Sequence, residues 1–219
     1  MTCGLPNTFS PLELIASLRR QPLVAVLRCS ESREALASID QLQSLGVHHL
    51  ELAWSEAPGW IDHCLRIREL YPNLHVGAAS VCGGRALEDC AAAGLGFAMS
   101  PILETELVRQ AERLGITLVP GVLTPTEVDR ARRLGCRLVK LFPAATLGIT
   151  YWRQLQGPLG ALPFCIAAGG LHPSAVPDWL EAGVDAVALG GALFDRTARP
   201  ARPNPALRGL VQWLEARHR

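Results

Sequence analysis

Eight short apolar runs, each followed by a loop and a longer amphipathic stretch, are the feature of this sequence that most restricts its fold. Short runs of β-branched or apolar residues predict buried strands, and the stretches between them carry apolar residues at helical spacing. Repeated strand–helix units favour a parallel sheet covered by helices. The predicted strands are 23–27, 49–53, 75–79, 97–100, 117–120, 138–142, 164–167 and 186–189.

Helix boundaries carry their own signals. Ser30 is placed to begin one helix, and the segment 124–127, Thr-Pro-Thr-Glu, is typical of a capped helix start. Glycines punctuate the helix ends, where a left-handed residue commonly stops a helix before the next strand; they are Gly46, Gly94, Gly115, Gly135 and Gly183. The predicted helices are 31–45, 58–70, 83–93, 103–114, 124–134, 150–156, 173–182 and 205–217, and residues 196–205 are expected to form an irregular link.

The chain length fits one fold. Eight strand–helix units in 219 residues predict a single (β/α)₈ barrel domain over residues 1–219, because such barrels commonly have about this size. The 49% hydrophobic content suffices for a core, yet no apolar run reaches the roughly 18 residues of a membrane span. Residues 1–22 lack a secretory signal pattern, so we expect a cytoplasmic protein.

Charge and cysteine content narrow the classes of partner. A net charge of +1 indicates no excess of basic residues for binding nucleic acid or an anionic membrane, so we expect a small-molecule partner. Seven scattered cysteines without a C-x-x-C pair favour buried or idle thiols over a disulfide framework or a zinc site. The histidines are also scattered, His75 among them, and His48 and His49 face opposite ways on a strand. We therefore expect no metal and no cofactor.

Lysine is the unusual residue of the composition. Of the 21 basic residues 20 are arginine, and the single lysine is Lys140. Arginine can replace lysine on a solvated surface but cannot form an imine, because its guanidinium stays protonated. The bland alternative is an arginine-biased sequence in which one lysine has survived by accident.

Polar side chains stand at the predicted strand ends, where the active sites of barrels lie. Lys140 sits between Val139 and Leu141 in an apolar strand, and burial there lowers a lysine pKa and makes the amine nucleophilic. Glu51 is similarly embedded and is the expected partner of Lys140 for proton transfer. A solvated lysine, or a structural ion pair without chemistry, is the alternative. The remaining strand-end residues are Arg28, Ser80, Ser100, Pro101, Pro120, Gly121, Phe142, Pro143, Gly169, Gly170, Gly190 and Gly191.

The two glycine pairs follow the seventh and eighth predicted strands, where barrels commonly bind phosphate. Gly169-Gly170 and Gly190-Gly191 lack side chains, so their backbone N–H groups can approach an anion closely. A Gly-Gly pair in an ordinary turn is the alternative.

With these residues in place, the chain resembles the family of 2-keto-3-deoxy-6-phosphogluconate (KDPG) and 4-hydroxy-2-oxoglutarate (KHG) aldolases, which are class I enzymes without a metal. The resemblance runs roughly from Val24 to Phe194. Its carriers are the segments 24–28 (VAVLR), 50–51 (LE), 77–81 (GAASV), 97–101 (FAMSP), 119–121 (VPG), 139–144 (VKLFPA), 168–170 (AGG) and 189–191 (LGG).

The resemblance implies roles for these residues. Lys140 would form the Schiff base, Glu51 would act as general acid and base, and Ser80 would stand beside the pyruvate carboxylate where the family has threonine. Pro101 and Phe142 would line the pyruvate pocket. The glycine pairs would hold the substrate phosphate, and the family commonly assembles as a homotrimer.

Three positions depart from the family pattern. Ser55 stands where the family has an active-site arginine, and Arg28 is the candidate replacement from a neighbouring strand end. Ala192 replaces a frequent phosphate-contacting serine, and Ala145 replaces a glutamate. Imine chemistry should survive these changes, whereas a preference for a phosphorylated substrate is weakened.

Four functions are therefore compatible with the sequence. The leading one is aldol cleavage of KDPG to pyruvate and glyceraldehyde 3-phosphate, of KHG to pyruvate and glyoxylate, or of both. The alternatives are oxaloacetate decarboxylation through the same imine, cleavage of the galactonate epimer of KDPG, and binding of a phosphorylated ligand without turnover.

Overall fold

A parallel barrel with helices around it accounts for most of the chain. The computed structural model describes residues 9–28, 32–195 and 201–217. Its parallel strands are β1 Leu23–Leu27, β2 His49–Ala53, β3 His75–Ala79, β4 Phe97–Met99, β5 Thr117–Val119, β6 Gly121–Val122, β7 Leu138–Leu141, β8 Phe164–Ala168 and β9 Ala186–Leu189. The helices are α1 Pro11–Arg20, α2 Ser32–Ser44, α3 Trp60–Leu70, α4 Gly84–Ala92, α5 Thr105–Arg113, α6 Pro125–Arg133, α7 Ala144–Leu147, α8 Tyr151–Leu159, α9 Val176–Glu181 and α10 Pro205–Arg217.

The barrel closes through Pro120. The sheet order is β5-β4-β3-β2-β1-β9-β8-β7-β6, with every pair parallel, so the two ends of the sheet are β5 and β6. Pro120 alone separates these two strands, and only β5 lies within the predicted strand 117–120. Proline has no N–H to donate, but its carbonyl still accepts from the Lys140 N–H at 2.8 Å. With β5 and β6 counted as one interrupted strand, eight strands form the barrel, and the predicted (β/α)₈ fold is confirmed.

The first residue after the interruption at Pro120 is Gly121, where only glycine fits. A Cβ on Gly121 would lie 2.3 Å from the backbone carbonyl of Pro101, and the Gly121 N–H donates to the Ile102 carbonyl. The end of β4 therefore packs directly on the start of β6. The strand predicted over 117–120 is observed as β5 Thr117–Val119, and the chain continues past Pro120 as the two-residue strand β6, which was not predicted.

The predicted helix boundaries hold at most positions. All five punctuating glycines have positive φ, from 65° at Gly94 to 105° at Gly183. Thr124 forms a capping box with Glu127 at the start of α6. The predicted helix 173–182 is instead a 3₁₀ turn, Pro173–Ala175, followed by α9. Ser30 and residues 196–200 lie outside the described residues.

Three elements are additional to the predictions: α1, the four-residue α7, and a small antiparallel pair. In that pair β10 (Phe194–Asp195) lies against β11 (Arg202–Pro203), so the expected irregular link contains a strand. Among the described residues, no helix is both long and apolar enough to cross a bilayer.

Helix α1 covers the N-terminal end of the barrel. Ser10 and Glu13 form a capping box at its start. Its residues Leu14 and Leu18 are fully buried in one cluster with inward-facing residues of the strands. The strand residues of that cluster are Val24, Phe97, Met99, Val119, Leu138, Phe164, Ile166, Ala168, Ala186 and Ala188. The helix therefore seals the barrel interior from solvent on this side.

Polar contacts between the first residues of the strands and the N-terminal segment hold α1 in place. The Ser17 hydroxyl lies 2.8 Å from Nε2 of His49, the His49 and His75 rings stack at 5.1 Å, and Phe9 meets His75 edge-on. The Thr117 hydroxyl donates to the Phe9 carbonyl. Burial, and then the nearby His75, lowers the pKa of His49 to about 3, so this ring is neutral. His75, one of the histidines scattered along the sequence, therefore packs against His49 in the fold.

We predict that Leu18→Ala destabilises the protein by about 2–5 kcal/mol, because it leaves a cavity in the barrel interior. Leu12→Ala on the same helix is the matched control, since Leu12 is 60% exposed, and it should cost less than about 0.5 kcal/mol. Urea denaturation of the two variants measures both losses. Equal losses of stability in the two variants would show that α1 does not pack into the end of the barrel.

Candidate active site

Lys140 and Glu51 both point into the barrel interior. Lys140 lies in β7 opposite Ile166 of β8, and neighbouring residues in paired strands face the same side of a sheet. Ile166 belongs to the interior cluster. Glu51 of β2 is paired with Gly77 of β3, whose missing side chain would point at the interior residue Phe97. The two groups are 7% and 1% exposed, respectively.

Glu51 is a carboxyl group without a hydrogen-bond donor among the described residues. Neither of its oxygens has a partner, although both are buried. Burial raises the pKa of Glu51 to about 8, and the positive charges of Lys140 and Arg28 only partly oppose this shift. Near neutral pH the group is therefore largely protonated.

Lys140 experiences the opposite shift. Burial lowers the pKa of Lys140, the negative charge of Glu51 opposes that effect, and the positive charge of Arg28 reinforces it. The ammonium nitrogen lies 4.7 Å from the centroid of the Phe142 ring, so one face of the amine is against an aromatic surface. A larger fraction of this amine is neutral than of a solvated lysine, and a neutral amine is the nucleophilic form.

The first glycine pair supports the Phe142 ring. Gly169 has a φ of 95°, and a Cβ there would lie 3.0 Å from the ring of Phe142. Gly170 has a φ of 76°, and its Cβ would lie 2.9 Å from that of Ala145 in α7. The Ala145 N–H donates to the Gly169 carbonyl. Both positions need glycine for backbone and for space, and they place the end of β8 beside Lys140's aromatic neighbour.

The second glycine pair is open. A Cβ on Gly190 would meet the Val26 carbonyl at 3.7 Å, which is ordinary contact, and one on Gly191 would meet nothing within 4 Å. Neither glycine has a positive φ. The structure therefore gives no internal packing reason for glycine at these two positions, which leaves close approach of a ligand as the candidate reason.

Arg28 and Ser80 meet at the mouth of the barrel. Arg28 directly follows β1, is exposed, and donates from Nη1 to the Ser80 hydroxyl at 2.9 Å. Ser80 directly follows β3 and has a φ of 63°, which side-chain-bearing residues seldom adopt. Strained backbone of this kind concentrates at functional sites. Pro101, at the end of β4, is half-buried and packs through its carbonyl against Gly121.

Two neighbours of the site were not singled out from the sequence. Cys82, two residues after Ser80, is an exposed thiol that lies within electrostatic range of Lys140. Phe97 is fully buried, and its ring occupies the space above Gly77 beside Glu51. Cys82 lies three residues after the end of β3 and Phe97 is the first residue of β4, so their positions next to strand boundaries were the available signal. Among the described residues, no three His, Cys, Asp or Glu side chains are grouped as a metal site.

Comparison with known proteins gives the same assignment along most of the chain. The family model for KDPG and KHG aldolases matches residues 14–201. The 2-dehydro-3-deoxy-6-phosphogalactonate aldolase of Escherichia coli K12 is 29% identical over 187 residues, covering 82% of this chain and 91% of the relative. The 2-dehydro-3-deoxy-phosphogluconate aldolase of Dickeya dadantii is 31% identical over 160 residues, covering 73% and 74%.

A solved structure agrees with these relatives. The structure described as native KDPGal superposes with a TM-score of 0.77 at 27% identity, covering 88% of this chain and 95% of that one. The shared fold, the family model and the relatives converge on one assignment. The chain belongs to the KDPG and KHG aldolase family, whose members are carbon–carbon lyases.

Proposed function

We propose that the protein is a class I aldolase in which Lys140 forms a Schiff base with a 2-oxo acid and Glu51 transfers protons. The observation that carries this proposal is the burial of two groups in the same barrel interior: the chain's single lysine and a carboxyl that has no hydrogen-bond partner within the described part of the chain. A carboxyl group with its pKa near 8 and an amine with a lowered pKa supply an acid and a nucleophile at the same pH.

The reaction begins with attack of the neutral Lys140 amine on the C2 ketone. Glu51 donates a proton to the resulting carbinolamine hydroxyl, which leaves as water and gives a protonated imine. The Glu51 carboxylate then accepts the proton of the C4 hydroxyl, and the bond between C3 and C4 breaks as its electrons move into the imine. The aldehyde leaves, the enamine is protonated at C3, and hydrolysis of the imine releases pyruvate and the free amine.

The remaining strand-end residues would bind the substrate. Arg28 and Ser80 are placed to hold the carboxylate of the 2-oxo acid, since they are bonded to each other at the mouth of the barrel. Pro101 and Phe142 would line the pocket of the pyruvate portion. Gly169, Gly170, Gly190 and Gly191 would contact the phosphate through their N–H groups. Arg28 would thereby take the place of the cation that is missing at Ser55.

The proposed substrates are KDPG, cleaved to pyruvate and glyceraldehyde 3-phosphate, and KHG, cleaved to pyruvate and glyoxylate. A second candidate is the galactonate epimer of KDPG. It is favoured by the match to the 2-dehydro-3-deoxy-6-phosphogalactonate aldolase over 91% of that relative's length, against 74% for the 2-dehydro-3-deoxy-phosphogluconate aldolase. In line with the family resemblance, we propose a cytoplasmic homotrimer.

Borohydride trapping tests the Schiff base. We expect that reduction in the presence of pyruvate adds one pyruvate-derived mass to the peptide that contains Lys140, and that Lys140→Arg abolishes both labelling and cleavage, because a guanidinium forms no imine. As a control, Arg109→Lys in the Lys140→Arg background places a lysine on an exposed helix surface. This lysine should stay unlabelled at neutral pH. Labelling confined to the α-amino group of the wild type would contradict the proposal.

The protonation state of Glu51 predicts a pH dependence of stability. Its pKa of about 8 in the folded protein lies above the ordinary value of 4.5, so folding is favoured at low pH and loses this contribution as the pH rises from 4.5 to 8. Glu51→Gln removes the titration. We expect the wild type to lose several kcal/mol relative to the variant across this range, since one pKa unit corresponds to about 1.4 kcal/mol.

Urea denaturation of both proteins at pH 5 and pH 8 measures this difference. Parallel stability curves for the wild type and Glu51→Gln would show that the carboxyl is already ionised at pH 5. Cleavage activity of Glu51→Gln should also fall, while the variant stays folded, because an amide can neither give nor accept the proton.

Substrate comparison tests the phosphate assignment. We expect kcat/KM for KDPG to exceed that for the unphosphorylated sugar acid at least tenfold, about the contribution of one hydrogen bond to a charged group. Turnover of the galactonate epimer above that of KDPG would select the second candidate. Absence of turnover of both epimers and of KHG would remove the aldolase proposal.

A further inference from the structure

Phe97 occupies an interior space that exists only because residue 77 is glycine. A Cβ on Gly77 would lie 2.4–2.6 Å from three atoms of the Phe97 ring, which is closer than real contacts allow. Phe97 is fully buried and belongs to the barrel-interior cluster. The ring therefore lies against the backbone of β3 at Gly77, in the space that a side chain would otherwise occupy.

The same backbone position is the neighbour of Glu51. Glu51 and Gly77 are register partners between β2 and β3, so a residue that fills the missing side-chain space of Gly77 lies next to the Glu51 side chain. Both carboxyl oxygens of Glu51 are buried, and neither has a hydrogen bond to any residue that the structure describes. The Phe97 ring is an apolar wall at the point where water would otherwise solvate that carboxyl.

We infer that Phe97 is a positioning residue for the reaction proposed above: its ring, seated on Gly77, keeps water away from the Glu51 carboxyl and so holds this group in its proton-donating form. The inference rests on the proposed function for its chemical meaning, because a protonated Glu51 is needed to expel water from the carbinolamine. The geometry itself is independent of the substrate.

The charges around Glu51 make an apolar wall necessary. Lys140 from β7 and Arg28 from the end of β1 both favour the carboxylate, and Cys90 of α4 also lies near Glu51, although burial is the main cause of the raised pKa of this thiol. His49, two residues earlier on β2, is neutral. Two cations therefore favour ionisation, and the pKa of Glu51 is nevertheless raised because burial outweighs them. Admission of water would remove that dominant effect.

The test compares Phe97→Leu, Phe97→Ala and Gly77→Ala with the wild type. Each truncation of Phe97 opens a cavity lined by a polar carboxyl, which favours entry of water. Gly77→Ala puts a methyl group where the ring lies, so it displaces the ring from its place beside Glu51 without removing it. Phe164→Leu is the matched control, because Phe164 is a phenylalanine of the same interior cluster at the first position of β8.

The primary readout is the protonated carboxyl C=O band of Glu51 in infrared difference spectra across pH, assigned by its absence in Glu51→Gln. We expect its midpoint to fall by at least about one pH unit in the Phe97 variants and in Gly77→Ala, and by less in Phe164→Leu. The limb of the kcat profile that reports Glu51 should shift by the same amount. A purely structural role would lower stability without moving either midpoint.

The outcomes separate this inference from the function proposed above. A wild type that traps pyruvate, together with unshifted midpoints in every folded Phe97 and Gly77 variant, overturns the inference and leaves the aldolase proposal intact. If the infrared midpoints shift in the Phe97 and Gly77 variants but the wild type traps no pyruvate, the role of Phe97 is supported and the aldolase proposal is overturned. If Phe97→Ala fails to fold, Phe97→Leu and Gly77→Ala decide, and an equal shift in Phe164→Leu also overturns the inference.

Discussion

The active site depends on one constraint: an amine and a carboxyl are enclosed in an apolar barrel without a hydrogen bond between them. Charged groups are costly to bury, and a carboxylate without donors is costlier still. A proton placed on Glu51 and absent from Lys140 gives the same total protonation as the ion pair, but it leaves neither group charged. Removal of water therefore favours the pair of forms that imine formation requires, a free amine next to an acid.

Two glycine–aromatic contacts maintain this enclosure. Gly77 accommodates the Phe97 ring beside Glu51, and Gly169 accommodates the Phe142 ring beside Lys140. In both cases a glycine leaves room for an aromatic ring to lie against the backbone, and the ring forms an apolar wall beside the titratable group. Helix α1 completes the enclosure by covering the N-terminal end of the barrel. Water and substrate then share a single approach, from the carboxyl ends of the strands.

The strands and the two titratable residues could be predicted because their signals are local. Apolar runs bounded by glycine recur along the sequence and predict the strands without knowledge of tertiary contacts. Lys140 and Glu51 are conspicuous because each is a single charged residue inside such a run. Helix α1 lies outside the strand–helix repeat, and its position is fixed by contacts distant in sequence, such as that between Thr117 and Phe9. Phe97 is one apolar residue in an apolar strand, so only the three-dimensional contact with Gly77 distinguishes it. The two glycine pairs also look the same in the sequence, whereas in the structure only the first pair, Gly169-Gly170, has backbone conformations that require glycine.

Arg28 links substrate binding to the state of the buried pair. Its positive charge disfavours protonation of Lys140 and favours ionisation of Glu51. In the proposed function the substrate carboxylate pairs with Arg28 and screens that charge, which would raise the pKa of both groups. Glu51 would then hold its proton more firmly, while Lys140 would become more basic and a stronger nucleophile in its neutral form. Because Ser55 supplies no second cation at this mouth, the arrival of a single carboxylate would suffice to produce the whole effect.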